Sequence, residues 1–153
     1  MTVIAYRDGI IAADKYNLLA HSAVAGITTK IRNINGTLVG ISGKTVLAQA
    51  MFKWAEGGFK PEEMPESQKD PEKFVVVVCI PPDGSILLYE TSPYPMVNQT
   101  PFIAIGSGSE IASGAMAHGA TAVQAVEYAC QLSPWCGGGI DVLHLNPSET
   151  EKE

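Results

Sequence analysis

Three tight turns constrain this chain more than any other feature. Asp8-Gly9, Asn35-Gly36 and Pro81-Pro82-Asp83-Gly84 each stand between two runs rich in apolar and β-branched residues. Asp-Gly and Asn-Gly pairs accept the positive φ that a two-residue hairpin turn demands, and the twist of such a turn matches two antiparallel strands. The hairpins they predict are Thr2 to Arg7 with Ile10 to Asp14, Thr28 to Ile34 with Thr37 to Ser42, and Phe74 to Ile80 with Ser85 to Tyr89. The unbroken valines of Phe74 to Ile80 predict a strand buried on both faces.

Other segments carry a helical period. Lys44 to Glu56 places Val46, Leu47, Ala50, Met51, Trp54 and Ala55 on one side of a helix that Gly57-Gly58 ends. Tyr16 to Gly26 reads as an irregular connection, and Phe59 to Lys73, rich in Pro, Glu and Lys, as an exposed loop. Phe102 to Ile105 is a short strand leading into Gly106-Ser107-Gly108. Two alanine-rich helices follow, roughly Glu110 to His118 and Thr121 to Leu132, suited to close packing. Gly137-Gly138-Gly139 then opens a last strand, Ile140 to Leu145, and Asn146 to Glu153 is expected to fray. No internal repeat is present. This order implies an α+β fold of antiparallel sheets with helices on their outer faces.

A length of 153 residues suits one domain, 1–153, and 46% hydrophobic residues describe a globular chain. A net charge of −6 leaves no electrostatic footprint for nucleic acid or an anionic membrane. Cys79, Cys130 and Cys136 lack CxxC spacing and read as reduced thiols, with no zinc site. His21, His118 and His144 are scattered, so no metal or cofactor is implied. No apolar stretch approaches the roughly 18 residues of a membrane span, and the opening residues lack the basic n-region and apolar run expected of a signal peptide. The expected location is the cytoplasm.

The chain begins Met1-Thr2. Methionine before a small residue is normally removed, which would expose Thr2 with a free α-amine beside its hydroxyl. An α-amine has a pKa of roughly 7.7–8.0, so one residue could supply both nucleophile and general base. The Asp8-Gly9 turn pairs Tyr6 with Ile11, Ile4 with Ala13 and Val3 with Asp14, which leaves Thr2 diagonal to Asp14 across strands about 4.7–4.9 Å apart. Their side chains leave opposite pleats, so a third group has to join them.

Four segments in order, TVIAYRDGIIAAD from Thr2, TTKIRN at Thr28–Asn33, GISG at Gly40–Gly43 and FIAIGSGSEIA at Phe102–Ala112, resemble the proteasome β-subunit family, and most closely its compact HslV-type branch. The resemblance spans Thr2 to Leu145. It implies a four-layer αββα sandwich, the N-terminal nucleophile hydrolase fold, assembled into homo-oligomeric and stacked rings. It also implies peptide substrates and, in HslV-type rings, an ATP-dependent unfoldase partner.

Carried over residue by residue, the resemblance makes Thr2 the nucleophile and Lys30 the group between Thr2 and Asp14. Asp14 is the partner of that lysine, and Ser107 the hydroxyl that bonds the threonine amine. Gly43 contributes a backbone N–H to the oxyanion hole, while Ile41 and Thr45 line the substrate pocket. Ser107 also reads as an N-cap for the helix that follows it.

Departures from the family pattern are equally specific. Ser133 stands where the proteasome branch carries an aspartate that supports the amine, and Cys136 where it carries a serine. Tyr16 replaces a basic residue two positions after Asp14. The chain is also short between its first helix and the Phe74 strand, where relatives have a longer helical stretch that builds ring and partner contacts. A retained Met1, with Ser133 and Cys136 in place, would instead leave a proteasome-shaped scaffold without peptidase activity.

Overall fold

A computed structural model of the chain describes residues 2–17 and 26–146. Strands β1 (Ile4–Arg7) and β2 (Ile10–Asp14) form the first hairpin. Asp8 (φ 51°) and Gly9 (φ 79°) both take the left-handed values that its turn requires. The expected register is present, with Tyr6 opposite Ile11 and Ile4 opposite Ala13. β3 (Tyr16–Asn17) pairs with β4 (Gly26–Ile27) as a two-residue ribbon, so the ends of the expected irregular connection are ordered by pairing. The residues between them, 18–25, lie outside the described residues, as do Met1 and 147–153 of the expected frayed tail.

The second hairpin is β5 (Ile31–Ile34) with β6 (Thr37–Ser42), joined through Asn35 (φ 53°) and Gly36 (φ 87°). Its first strand starts later than expected: the Thr28 N–H bonds the Lys15 carbonyl at 2.8 Å, and ahead of Ile31 the Lys30 carbonyl meets β6 at the Ile41 N–H. Helix α1 (Thr45–Glu56) follows, with Met51, Phe52, Trp54 and Ala55 on its buried side.

Phe59 to Lys73 is not the exposed loop that its composition predicts. It holds two short 3₁₀ turns, Pro61–Glu63 and Glu66–Lys69, and buries Met64 and Gln68. Phe59 stacks on Tyr89 with ring centroids 5.2 Å apart, and Trp54 Nε1 donates to the Lys60 carbonyl at 2.7 Å. These anchors hold a polar segment against the protein.

β7 (Val76–Ile80) and β8 (Ile86–Tyr89) make the third hairpin, and an edge strand unread in the sequence, β9 (Met96–Asn98), extends it. β10 (Phe102–Ile105) leads through the glycine turn into α2 (Ser109–Ala117), then α3 (Ala122–Leu132) and β11 (Ile140–His144).

Two antiparallel sheets result, ordered β10-β1-β2-β11 and β5-β6-β7-β8-β9. Three apolar layers then fix the architecture. Val39, Ile41, Val77 and Cys79 pack under α1, whereas Ile4, Ile11, Ile31, Leu38, Val78 and Ile80 fill the space between the sheets. Val3, Ala5 and Ala12 meet Ala112, Met116, Ala125, Val126 and Ala129 of α2 and α3. The order is helix, sheet, sheet, helices: the αββα sandwich. Both sides of β7 contribute to cores, as its valine run predicts. Small residues let the layers close. A Cβ on Gly40 would stand 3.0 Å from Ile4 and 3.1 Å from Val78, side chains of the intersheet core.

Thr121 caps α3 by accepting from the Gln124 N–H, and the Gln124 side chain accepts in return from the Thr121 N–H. Thr121→Ala removes half of this capping box and is expected to lower stability by about 1 kcal/mol. Urea unfolding with an unchanged m-value checks it.

Candidate active site

The N-terminus of β1 is locked by the glycine turn between β10 and α2. The Thr2 nitrogen donates to Ser107 Oγ at 3.0 Å, and the Thr2 carbonyl accepts from the Gly108 N–H at 3.0 Å. Gly106 (φ 97°) has no alternative here, because a Cβ would overlap the Thr2 carbonyl oxygen. A Cβ on Gly108 would lie 2.9 Å from both Val3 Cβ and Cys136 Sγ. The two glycines therefore let the turn reach Thr2. Ser107 makes no cap for α2, whose N-cap position belongs to Gly108; its hydroxyl faces Thr2 instead.

Beneath Thr2, Asp14 is fully buried and receives three donors. Lys30 Nζ lies 2.8 Å and the Val3 N–H 3.0 Å from Oδ1, while the Gly137 N–H lies 3.1 Å from Oδ2. Lys30 precedes β5 in the other sheet, and its carbonyl takes the Ile41 N–H at 3.1 Å. The ion pair thus crosses from one sheet to the other. Its two side chains are 7% and 0% exposed, so solvent does not screen it.

Thr2, Lys30, Ile41, Gly43 and Thr45 line one cleft of about 960 Å³, with Ala48 and Phe52 from α1 and Lys73 and Phe74 from the segment before β7. Such a volume accommodates a ligand of drug or short-peptide size. Ile41 is also part of the core under α1, so it forms floor rather than rim. Thr45 Oγ1 bonds Asn17 Oδ1 at 3.1 Å and ties the β3–β4 ribbon to the start of α1. Gly43 (φ 145°) is exposed in the cleft, and a Cβ there would collide with the Val75 side chain.

Ser133 and Cys136 stand outside the cleft lining. Ser133 Oγ accepts from the Trp135 N–H at 3.3 Å. Cys136 is buried behind the glycine turn, and burial raises its thiol pKa first, with the Asp14 charge adding to the effect. Burial likewise pushes Cys130 up to about 11 and Cys79 up to about 12. All three therefore remain thiols near neutrality, which argues against a cysteine nucleophile beside Thr2. Among the described residues no cluster of three or more His, Cys, Asp or Glu side chains is placed to hold a metal ion, and no helix is long and apolar enough to cross a membrane.

The four-layer order has counterparts among known structures. No protein-family model and no curated protein matches the sequence. Solved structures do match. HslV from Trypanosoma brucei superposes with a TM-score of 0.71 at 20% identity, over 94% of this chain and 98% of that one. The chain has the HslV fold. Thiobacillus denitrificans BPH aligns with a TM-score of 0.62 at 20% identity over 96% of this chain and 99% of that one, and its epoxomicin complex with 0.64 at 19% over 95% and 99%.

Within this HslV fold some participants were unread in the sequence. The Gly137 amide on Asp14 was hidden because Gly137-Gly138-Gly139 reads as a strand opening. A Cβ on Gly137 or Gly138 would stand 2.7 Å from the Tyr16 ring, so the glycines seat the aromatic residue that replaces the expected basic one. Asn17 fell in the segment read as irregular.

Two measurements test this site. Lys30→Met leaves the buried Asp14 carboxylate without its cation and is expected to cost about 3–5 kcal/mol in urea unfolding. Asp14→Ala should cost at least as much, since it removes the acceptor shared by the Lys30 ammonium and two backbone amides. For the thiols, raised pKa values mean that thiolate, and with it alkylation, is scarce at pH 7 and grows as pH rises toward 11. Iodoacetamide at pH 7 is expected to leave native protein nearly unlabelled over the time that urea-unfolded protein takes three labels, one for each free cysteine.

Proposed function

We propose that this chain is a threonine-type hydrolase that cleaves peptide amide bonds once Met1 is removed. The observation that carries the reading is the Thr2 nitrogen, held by Ser107 Oγ at 3.0 Å at the edge of the cleft that Lys30 and Gly43 also line. The fold shared with T. brucei HslV, and with a BPH protein solved in complex with epoxomicin, supports it.

The chemistry follows from the proposed roles. The Thr2 amine takes the proton of its own hydroxyl, and the freed oxygen attacks the scissile carbonyl. The positive charge of Lys30, anchored on Asp14, favours that alkoxide. The Gly43 N–H receives the oxyanion, a contribution of roughly 2.7–4 kcal/mol for such a donor. The amine then passes its proton to the leaving nitrogen, which departs as an amine and leaves an ester on Thr2. Water, activated by the same amine, hydrolyses the ester and regenerates the enzyme. Ser107 orients the amine throughout. Ile41 and Thr45, with Ala48 and Phe52, offer a modest apolar pocket to one substrate side chain.

The assembly that goes with this reading is a homo-oligomeric ring in the cytoplasm, with stacked rings and an ATP-dependent unfoldase as the partner class. Ser133 and Cys136 favour the second reading, a ring-forming scaffold without peptidase activity. Neither brings the carboxylate that would stabilise a protonated amine.

Intact mass of untagged protein, with and without an epoxyketone peptide, separates the two. Loss of Met1 and a covalent adduct that is absent in Thr2→Ala is the expected result. Retained Met1 with no adduct would sink the hydrolase and leave the scaffold.

A further inference from the structure

Gln68 is 1% exposed, and every hydrogen-bonding group of its carboxamide facing the protein is used. Nε2 donates to the carbonyls of Val75 and Glu90, each at 2.6 Å, and Oε1 accepts from the Val75 N–H at 3.0 Å. Val75 immediately precedes β7, and Glu90 immediately follows β8. The carboxamide therefore occupies the place of a strand partner where the two strands end. It fixes both the N–H and the C=O of Val75, and so sets that residue along and across the sheet.

Val75 is itself 1% exposed, and its side chain forms the wall against which Gly43 lies. A Cβ on Gly43 would collide with Val75 Cγ1 and stand 2.9 Å from Val75 Cβ, so the two residues leave no slack. Gly43 follows β6, whose last residue, Ser42, pairs with Val76. The peptide at Gly43 is held by that pairing on one side and by the Val75 wall on the other.

We propose that Gln68 is a positioning residue for the Gly43 amide, acting through Val75 to hold the oxyanion donor in place. This rests on the hydrolase reading above. A carboxamide is needed because an apolar side chain of the same volume would fill the space yet take this partner from the buried N–H and C=O of Val75 and from the part-buried Glu90 carbonyl. The segment carrying Gln68 is anchored independently of the cleft, by Phe59 on Tyr89 and by the Trp54 bond to Lys60.

The test compares wild type, Gln68→Met and Val75→Ala as full chains, using a capped Gly-Gly-Leu aminomethylcoumarin substrate. Inhibition by capped Leu-Leu-leucinal is measured against that by the matching leucinol. The aldehyde forms a hemiacetal whose oxygen uses the oxyanion donor, and the alcohol does not. A misplacement near 1 Å costs about 100-fold in rate, so kcat should fall roughly 10–100-fold in both variants with KM within about twofold. Affinity for the aldehyde should drop by the same factor as kcat while that for the alcohol holds.

Folded Gln68→Met with kcat within about twofold of wild type overturns the proposal. So does equal weakening of aldehyde and alcohol, which would mark a general loosening. If Gln68→Met does not fold, Val75→Ala, which leaves the carboxamide bonds to backbone intact, decides by the same criteria. A wild type that neither cleaves the substrate nor binds the aldehyde above the alcohol sinks the hydrolase reading and this inference with it. An active wild type beside a normal Gln68→Met sinks this inference alone.

Discussion

Asp14 gathers three separate parts of the molecule on one buried carboxylate. Taking a carboxylate and an ammonium out of water costs several kcal/mol for each ion, and only close pairing with saturated hydrogen bonding offsets it. Asp14 meets that demand with Lys30 from the second sheet, the Val3 N–H from its own hairpin and the Gly137 N–H from the loop after α3. Each donor comes from a different part of the fold, and Lys30 also lines the cleft. If the carboxylate moved, the start of β1, the start of β5 and the glycine loop would lose their common point.

Around this point the layers approach closely because glycines stand where side chains would collide. Gly106 and Gly108 bring the β10–α2 turn onto Thr2, Gly40 lets the sheets meet, and Gly43 lies on Val75. The glycines in GISG and GSG thus have steric reasons within this fold, separate from any reading of resemblance. Backbone held this tightly has little freedom to rearrange, which suits a site whose donors must be in place before a reaction begins.

The stretch between α1 and β7 shows how a polar composition can mislead. Pro, Glu and Lys outnumber apolar residues in Phe59 to Lys73, yet Phe59, Met64 and Gln68 reach inward while the charges stay in water. Gln68 is the least legible of these residues, since a glutamine in such a segment reads as solvated. Only the free backbone groups at the ends of β7 and β8 make it a core residue. Its partners become available once those strands are paired.

Local features were legible because residues adjacent in the chain decide them. The Asp8-Gly9 and Asn35-Gly36 turns need positive φ that few residues tolerate, the period of Lys44 to Glu56 follows from 3.6 residues per turn, and Val3 opposite Asp14 follows from the hairpin count. By itself the sequence determined hairpins, helices and their order, and it limited the chain to an antiparallel α+β arrangement. Resemblance supplied the pairing of Lys30 with Asp14 and of Ser107 with Thr2, which no local rule contains. Tertiary structure decided the rest: Ser107 on a residue 105 positions away, the Gly137 amide on one 123 positions away, and Val75 against Gly43. Contacts over such separations depend on how sheets and helices stack. Burial energy sets that stacking through the summed fit of many side chains, which no single stretch of sequence encodes.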